Sequence, residues 1–197
     1  MTEHDESALD KAARIAAGDD GTYYDRTAAM LHWATAALVV IQFALAQLWE
    51  LVPRPQHHLM VVAHMSFGIL LAIIIAWRIV WRLIPGHQVP AIGSGWSVLA
   101  AKAVHFLLYA MLVAEAVLGF LLRWSGGEAM SFFGLLLPPP FAAFPKATNE
   151  LIGELHELNG WAIIVVALGH AAAALYHHVV LKDRVLIRMM PHRAARG

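Results

Sequence analysis

His156 and His170 stand 14 residues apart, and from Leu158 to Leu181 no lysine, arginine, aspartate or glutamate interrupts the chain. On a helix that separation is about 21 Å of axis and about 40° of rotation, so one helix face offers two imidazoles at two depths. Two further histidines lie in charge-free stretches, His32 within Thr27 to Trp49 and His64 within Pro55 to Trp77. Imidazole tolerates apolar surroundings when hydrogen-bonded and coordinates iron well, and two of them on facing helices can clamp a haem from both faces. If the first stretch runs outward and the second inward, His32 matches the depth of His170 and His64 that of His156. The spacing therefore predicts two haems with four axial histidines, against the simpler reading that each satisfies a polar contact in a bundle. Cysteine is absent, which excludes disulfides, thiolate-held iron–sulfur clusters and covalent c-type attachment, and leaves haem b.

The elements that must position these side chains are long and apolar. Three charge-free stretches and a fourth, Ala103 to Leu122, interrupted only by Glu115, are each long enough for a hydrocarbon core of about 30 Å. Of the 197 residues, 59% are apolar and 14% charged, more apolar than a soluble domain of this size can hide, so membrane lipid is the surrounding medium. With 14 basic and 14 acidic residues the net charge is zero, and no basic excess exists for nucleic acid. The expected fold is all-α, an integral membrane four-helix bundle with helices at about 24–50, 56–83, 97–123 and 149–181 inside a domain of residues 23–191. A polar acidic tail (1–22) precedes it and a basic tail (192–197) follows. Pro138, Pro139, Pro140 and Pro145 make Trp124 to Asn149 an interfacial loop instead of a fifth span. Eleven basic residues fall on the side of both termini against Arg54, Arg123 and Lys146 on the other, which predicts cytoplasmic N- and C-termini. No apolar stretch precedes the first span, so no cleavable signal peptide is expected.

Other residues carry subsidiary expectations. His177 continues the His170 face by about 10 Å; it is a candidate hydrogen-bond donor to a quinone carbonyl, or else a helix-end histidine at the interface. Arg78 and Arg82, one turn apart, are candidates to pair with haem propionates, or else positive anchors at the inner surface. His57, His58, His4, His87 and His192 are expected in solvent, and His105 near the inner surface without an evident partner. Glu115 at mid-span costs several kcal/mol unless neutralised or paired, so it is expected protonated or hydrogen-bonded, with proton relay as a conceivable role. No residue is singled out as catalytic.

The sequence resembles the bacterial cytochrome b561 family from about Tyr24 to Pro191. The residues that carry the likeness are Leu31-His32-Trp33, Ala63-His64-Met65-Ser66-Phe67-Gly68 with Arg78 and Arg82 beyond it, Leu155-His156-Glu157, and the run Gly169-His170 to His177-His178 continued by Lys182-Asp183 and Leu186 to Pro191. The resemblance implies a multi-pass cytochrome of the bacterial inner membrane with two haems ligated from helices one, two and four. It also implies a membrane quinone such as ubiquinone as redox partner and, for some members, oxidation of superoxide with ubiquinone as acceptor. The acidic N-terminal tail and Glu115, where an apolar residue is expected, depart from the family pattern.

Three functions compete at this level. One is an oxidoreductase taking electrons from a small donor such as superoxide to quinone. The second is an electron-relay cytochrome subunit serving a redox partner protein, such as a larger dehydrogenase or hydrogenase. The third is a haem-free proton-coupled transporter or scaffold.

Overall fold

A computed structural model describes residues 23–85, 89 and 95–190. His4, His87 and His192, and both expected tails, lie outside the described residues. Asp25 starts the first helix, α1 (Arg26–Leu48), by accepting the Ala28 N–H at 2.9 Å, which satisfies one of the donors a helix start leaves open. The same carboxylate accepts from Trp81 Nε1 at 3.1 Å, tying the end of the second helix to the start of the first. After a short 3₁₀ turn, Pro53 caps α2 (Arg54–Leu83) and Pro55 lies in its first turn, where a missing N–H costs nothing. Gly95, at φ 62°, leads into α3 (Trp96–Ser125). The last long helix, α4 (Lys146–Tyr176), begins behind Pro145, about one turn before Asn149. His156 is thereby ten residues inside the helix instead of at its start.

All four helices are long and apolar enough to cross a membrane. Their outward faces are apolar: Val40, Ile73, Val165 and Leu168 are all exposed. Water would penalise such a surface and hydrocarbon does not. By backbone approach α1 packs mainly on α2, α3 on α4, and α2 on α3. The seams between α4 and the first two helices hold few such contacts, leaving room for side chains from both sides. Leu38, Leu71, Ile75, Leu112 and Ile163 bring at least one buried residue from every helix into a central apolar layer.

The proline-bearing connection does more than skirt the surface. Its strands β1 (Met130–Phe132) and β2 (Leu135–Leu137) form an antiparallel hairpin with Met130 opposite Leu137 and Phe132 opposite Leu135. The two turn residues, Phe133 and Gly134, both have positive φ (48° and 93°), the condition for a tight two-residue turn. The hairpin lies against Ser66, about 18 Å along α2 from its first residue. Ser66 Oγ accepts the Phe133 N–H at 2.9 Å and lies 3.2 Å from Ser131 O, and Trp124 Nε1 donates to Leu137 O at 3.2 Å. Non-helical backbone near a bilayer needs such partners. At the opposite end the segment after α4 returns over α1, where Trp33 Nε1 donates to Met189 O at 2.9 Å and the Tyr24 N–H to Arg188 O at 3.1 Å.

Candidate functional site

The central apolar layer separates two polar layers, one toward the termini and one toward the hairpin. Ile163 stands seven residues from both His156 and His170, so α4 presents histidine, isoleucine and histidine on nearly one face.

In the terminal-side layer His32 of α1 faces His170 of α4 with ring centroids 6.3 Å apart. In the hairpin-side layer His64 of α2 faces His156 of α4 at 6.2 Å. Two imidazoles held by one metal from opposite sides place their ring centres about 6.2 Å apart, twice the sum of a metal–nitrogen bond of about 2.0 Å and about 1.1 Å from nitrogen to ring centre. Both pairs have that spacing. His105 of α3 lies closer to His170, at 5.1 Å, too near to share a metal across it; it buttresses the ring from the side. Sequence reasoning left His105 without a partner because nothing in a single helix shows which neighbour its face meets.

A cavity of about 730 Å³ surrounds the hairpin-side pair, lined among others by Gln42, His64, Glu115, Gly119 and His156, a size ordinary for cofactor sites. Among the described residues, the buried side-chain atoms left without an aligned hydrogen-bond partner are Gln42 Oε1, His64 Nδ1 and His156 Nδ1, and all three residues line this cavity. Buried polar atoms are almost always paired, so unpaired Gln42 Oε1 and His64 Nδ1 at one cavity fit a polar or metal-bearing group there, whereas His156 Nδ1 has Glu115 Oε1 3.2 Å away. A Cβ at Gly119 would stand 3.4 Å from His156 Cε1, in van der Waals contact, so α3 passes close to the His156 ring here. The residues present fit a haem held between two imidazoles.

The terminal-side layer fits on one condition. Arg78 Nη2 lies 2.9 Å from His32 Nδ1; arginine only donates, so that nitrogen must carry no proton. Ligation through Nε2 requires the proton on Nδ1, and ligation through Nδ1 requires that atom free. Arg78 therefore has to turn off the ring before His32 can bind metal. Its guanidinium also stacks over Tyr109 at 5.2 Å, whereas Arg82 is exposed.

Beyond α4, His177 Nδ1 lies 2.5 Å from Asp183 Oδ2. Slight burial pushes the Asp183 carboxyl up, but the bonds from His177 and from the Val185 N–H outweigh it and hold the carboxyl below the usual carboxylate range. His177 is half-buried and His178 exposed. His58 is exposed too, while His57 reaches Glu50 at 3.4 Å across the α1–α2 turn.

Glu115 meets the expectation of a hydrogen bond: its Oε2 accepts from Asn159 Nδ2 at 2.7 Å. Its neighbour His156 was findable, since Glu115 is ten residues before the end of α3 and His156 ten residues after the start of α4.

Lipid-facing helices around histidines opposed at metal-spanning distance define a class, the four-helix membrane cytochromes of b type. Residues 23–192 match the sequence profile described as Prokaryotic cytochrome b561, and the chain belongs to that family. It is 34% identical over 172 residues to cytochrome b561 homolog 2 of Escherichia coli (strain K12), covering 85% of this chain and 90% of that protein. It is 30% identical over 164 residues to the probable superoxide oxidase CybB of Yersinia pestis, covering 83% and 93%. Cytochrome b562 of Cereibacter sphaeroides is 31% identical over 179 residues, covering 86% and 96%. Membership carries a b-type haem and a role in electron transfer within a membrane.

Proposed function

We propose that this chain is a dihaem b-type cytochrome of the bacterial inner membrane and an oxidoreductase that transfers electrons to or from a membrane quinone, oxidising superoxide where quinone is the acceptor. The observation that carries it is the pair of histidine couples at 6.3 and 6.2 Å, one on each side of the apolar layer. His32 and His170 would hold one haem and His64 and His156 the other; each bound haem supplies a one-electron carrier. Arg78, once off His32, and Arg82 beyond it supply positive charge for the propionates of the terminal-side group. Superoxide as donor is supported by the likeness to the Yersinia relative, a probable superoxide oxidase. The excess of basic residues on the terminal side supports cytoplasmic termini, with the hairpin side outward.

Quinone is proposed to bind beside His177. Asp183 accepts at Nδ1, which leaves Nε2 as the ring nitrogen that can donate to a carbonyl when the ring is protonated. The half-buried position just past α4 is one that a lipid-soluble head group can reach.

A dithionite-reduced minus oxidised spectrum with haem-to-protein stoichiometry tests the reading directly. Two haems per chain are expected; one haem would leave a single pair standing, and none would leave the transporter reading in its place.

A further inference from the structure

Glu115 stands beside one ligand of one pair only, and no part of the electron-transfer reading uses it. Its Oε2 accepts from Asn159 Nδ2 at 2.7 Å, and the same amide donates to Met111 O at 3.0 Å. One asparagine of α4 thus grips α3 at two points and fixes the direction of the carboxylate. The other oxygen, Oε1, lies 3.2 Å from His156 Nδ1. That nitrogen has no aligned hydrogen-bond partner, although Oε1 is within bonding distance. Gly160 makes the approach possible, because a Cβ there would stand 3.1 Å from Oε1. Both side chains are nearly four-fifths covered (22% and 23% exposed), so water competes weakly for them.

Resting on the dihaem reading, we propose that Glu115 is a positioning residue that accepts the Nδ1–H of His156, orients its Nε2 as the metal-binding atom and lowers the potential of the hairpin-side haem. A ligating histidine whose second nitrogen donates to a carboxylate is a more basic ligand, and a more basic ligand favours the oxidised metal. On the terminal side the group at His32 is Arg78, a donor, which must leave the ring before His32 can bind metal. Asn159 acts one step further back by holding the carboxylate.

The test is a spectroscopic redox titration of the haem-loaded protein as wild type, Glu115→Gln and Asn159→Ala, with His64→Ala identifying which midpoint belongs to the hairpin side. Glutamine offers one acceptor where glutamate offers two, so Asn159 and His156 cannot both be served. The expected result is a tenfold shift of the hairpin-side oxidation equilibrium toward the reduced form, about 59 mV for one electron, with the other midpoint unmoved. Asn159→Ala keeps the carboxylate but frees it, and should shift the same haem in the same direction by less; it carries the test alone if the glutamine variant does not assemble. Two haems with both midpoints unchanged would overturn the proposal while leaving the dihaem reading intact, as would a common shift of both midpoints. A wild-type chain without haem would overturn the dihaem reading, and this proposal with it.

Discussion

The two histidine layers share a spacing and differ in what stands behind them. Toward the hairpin, His156 has a carboxylate within 3.2 Å and His64 has Trp49 at its ring edge, 5.2 Å between centroids. Toward the termini, His32 has the Arg78 guanidinium at 2.9 Å and His170 has His105 beside it. One side surrounds its pair with an acceptor and the other with donors and positive charge. Histidine spacing alone would make the two layers equivalent; the second neighbours make them unequal. For a protein proposed to pass electrons across a membrane, that inequality sets which site is the stronger oxidant.

The largest expected effect asks whether there are two sites at all. Replacing His64 or His156 with alanine should remove one haem and leave the other, and replacing His32 or His170 should do the converse, each halving the reduced-minus-oxidised absorbance. Loss of the same haem in all four variants would abolish the comparison.

Next comes the sign of the asymmetry. Arg78→Gln should lower the terminal-side midpoint, because a unit positive charge near an oxidisable site opposes its oxidation, by about 1.7 kcal/mol at a separation of about 10 Å and an effective dielectric of about 20. That is more than tenfold in the oxidation equilibrium, opposite in direction to Glu115→Gln at the other layer, and potentiometry reads both. A terminal-side midpoint that rises or stays would show that the guanidinium does not act as a charge there.

The His177 contact sharpens the comparison by asking which side meets quinone. His177→Ala should weaken quinone reduction by about 1–3 kcal/mol of lost hydrogen bonding with both haems retained; steady-state quinone assays alongside the spectrum measure it. Asp183→Asn should give a smaller loss, since it removes the charge behind Nδ1. The tie also has a pH window. Asp183 has a lowered carboxyl pKa, so its ionised partnership with His177 is fully present above the ordinary aspartate range and fails as pH falls through the lowered value. Quinone reduction should therefore be insensitive to Asp183→Asn at the most acidic pH the protein tolerates. Unchanged reduction in His177→Ala would move the quinone site to the hairpin side.

The smallest effects concern the covers. Ser66→Ala deprives the Phe133 N–H of its acceptor beneath the hairpin, and Trp33→Phe deprives Met189 O of its donor over the terminal-side layer. Each should cost about 1 kcal/mol in thermal unfolding followed by haem release. The serine variant should loosen the hairpin-side haem first, and the tryptophan variant the other.

Much of this was legible in one dimension. Charge-free runs of sufficient length mark the four helices because hydrocarbon excludes ionised groups, and the 14-residue interval between His156 and His170 fixes two depths because helical rise is constant. Those are properties of a chain segment taken alone. The hairpin was not visible, since three-residue strands of Leu and Phe read the same as any apolar stretch and their backbone partners come from Ser66, 65 residues away from Ser131. Nor was the neighbour of His105 or Arg78, because periodicity says which residues share a face and not which face of another helix it meets; for Glu115 only the matching depth of His156 could be read, not the contact. Packing of α3 against α4 and of α1 against α2 settled that, through close approaches such as Gly160 against Glu115. The sequence by itself determined the class of protein and the four proposed ligands, whose requirements are local in depth and type. Only the tertiary structure decided what stands behind each ligand, because contacts between helices depend on rotation about their axes, which the hydrophobic pattern of a lipid-embedded helix leaves unspecified.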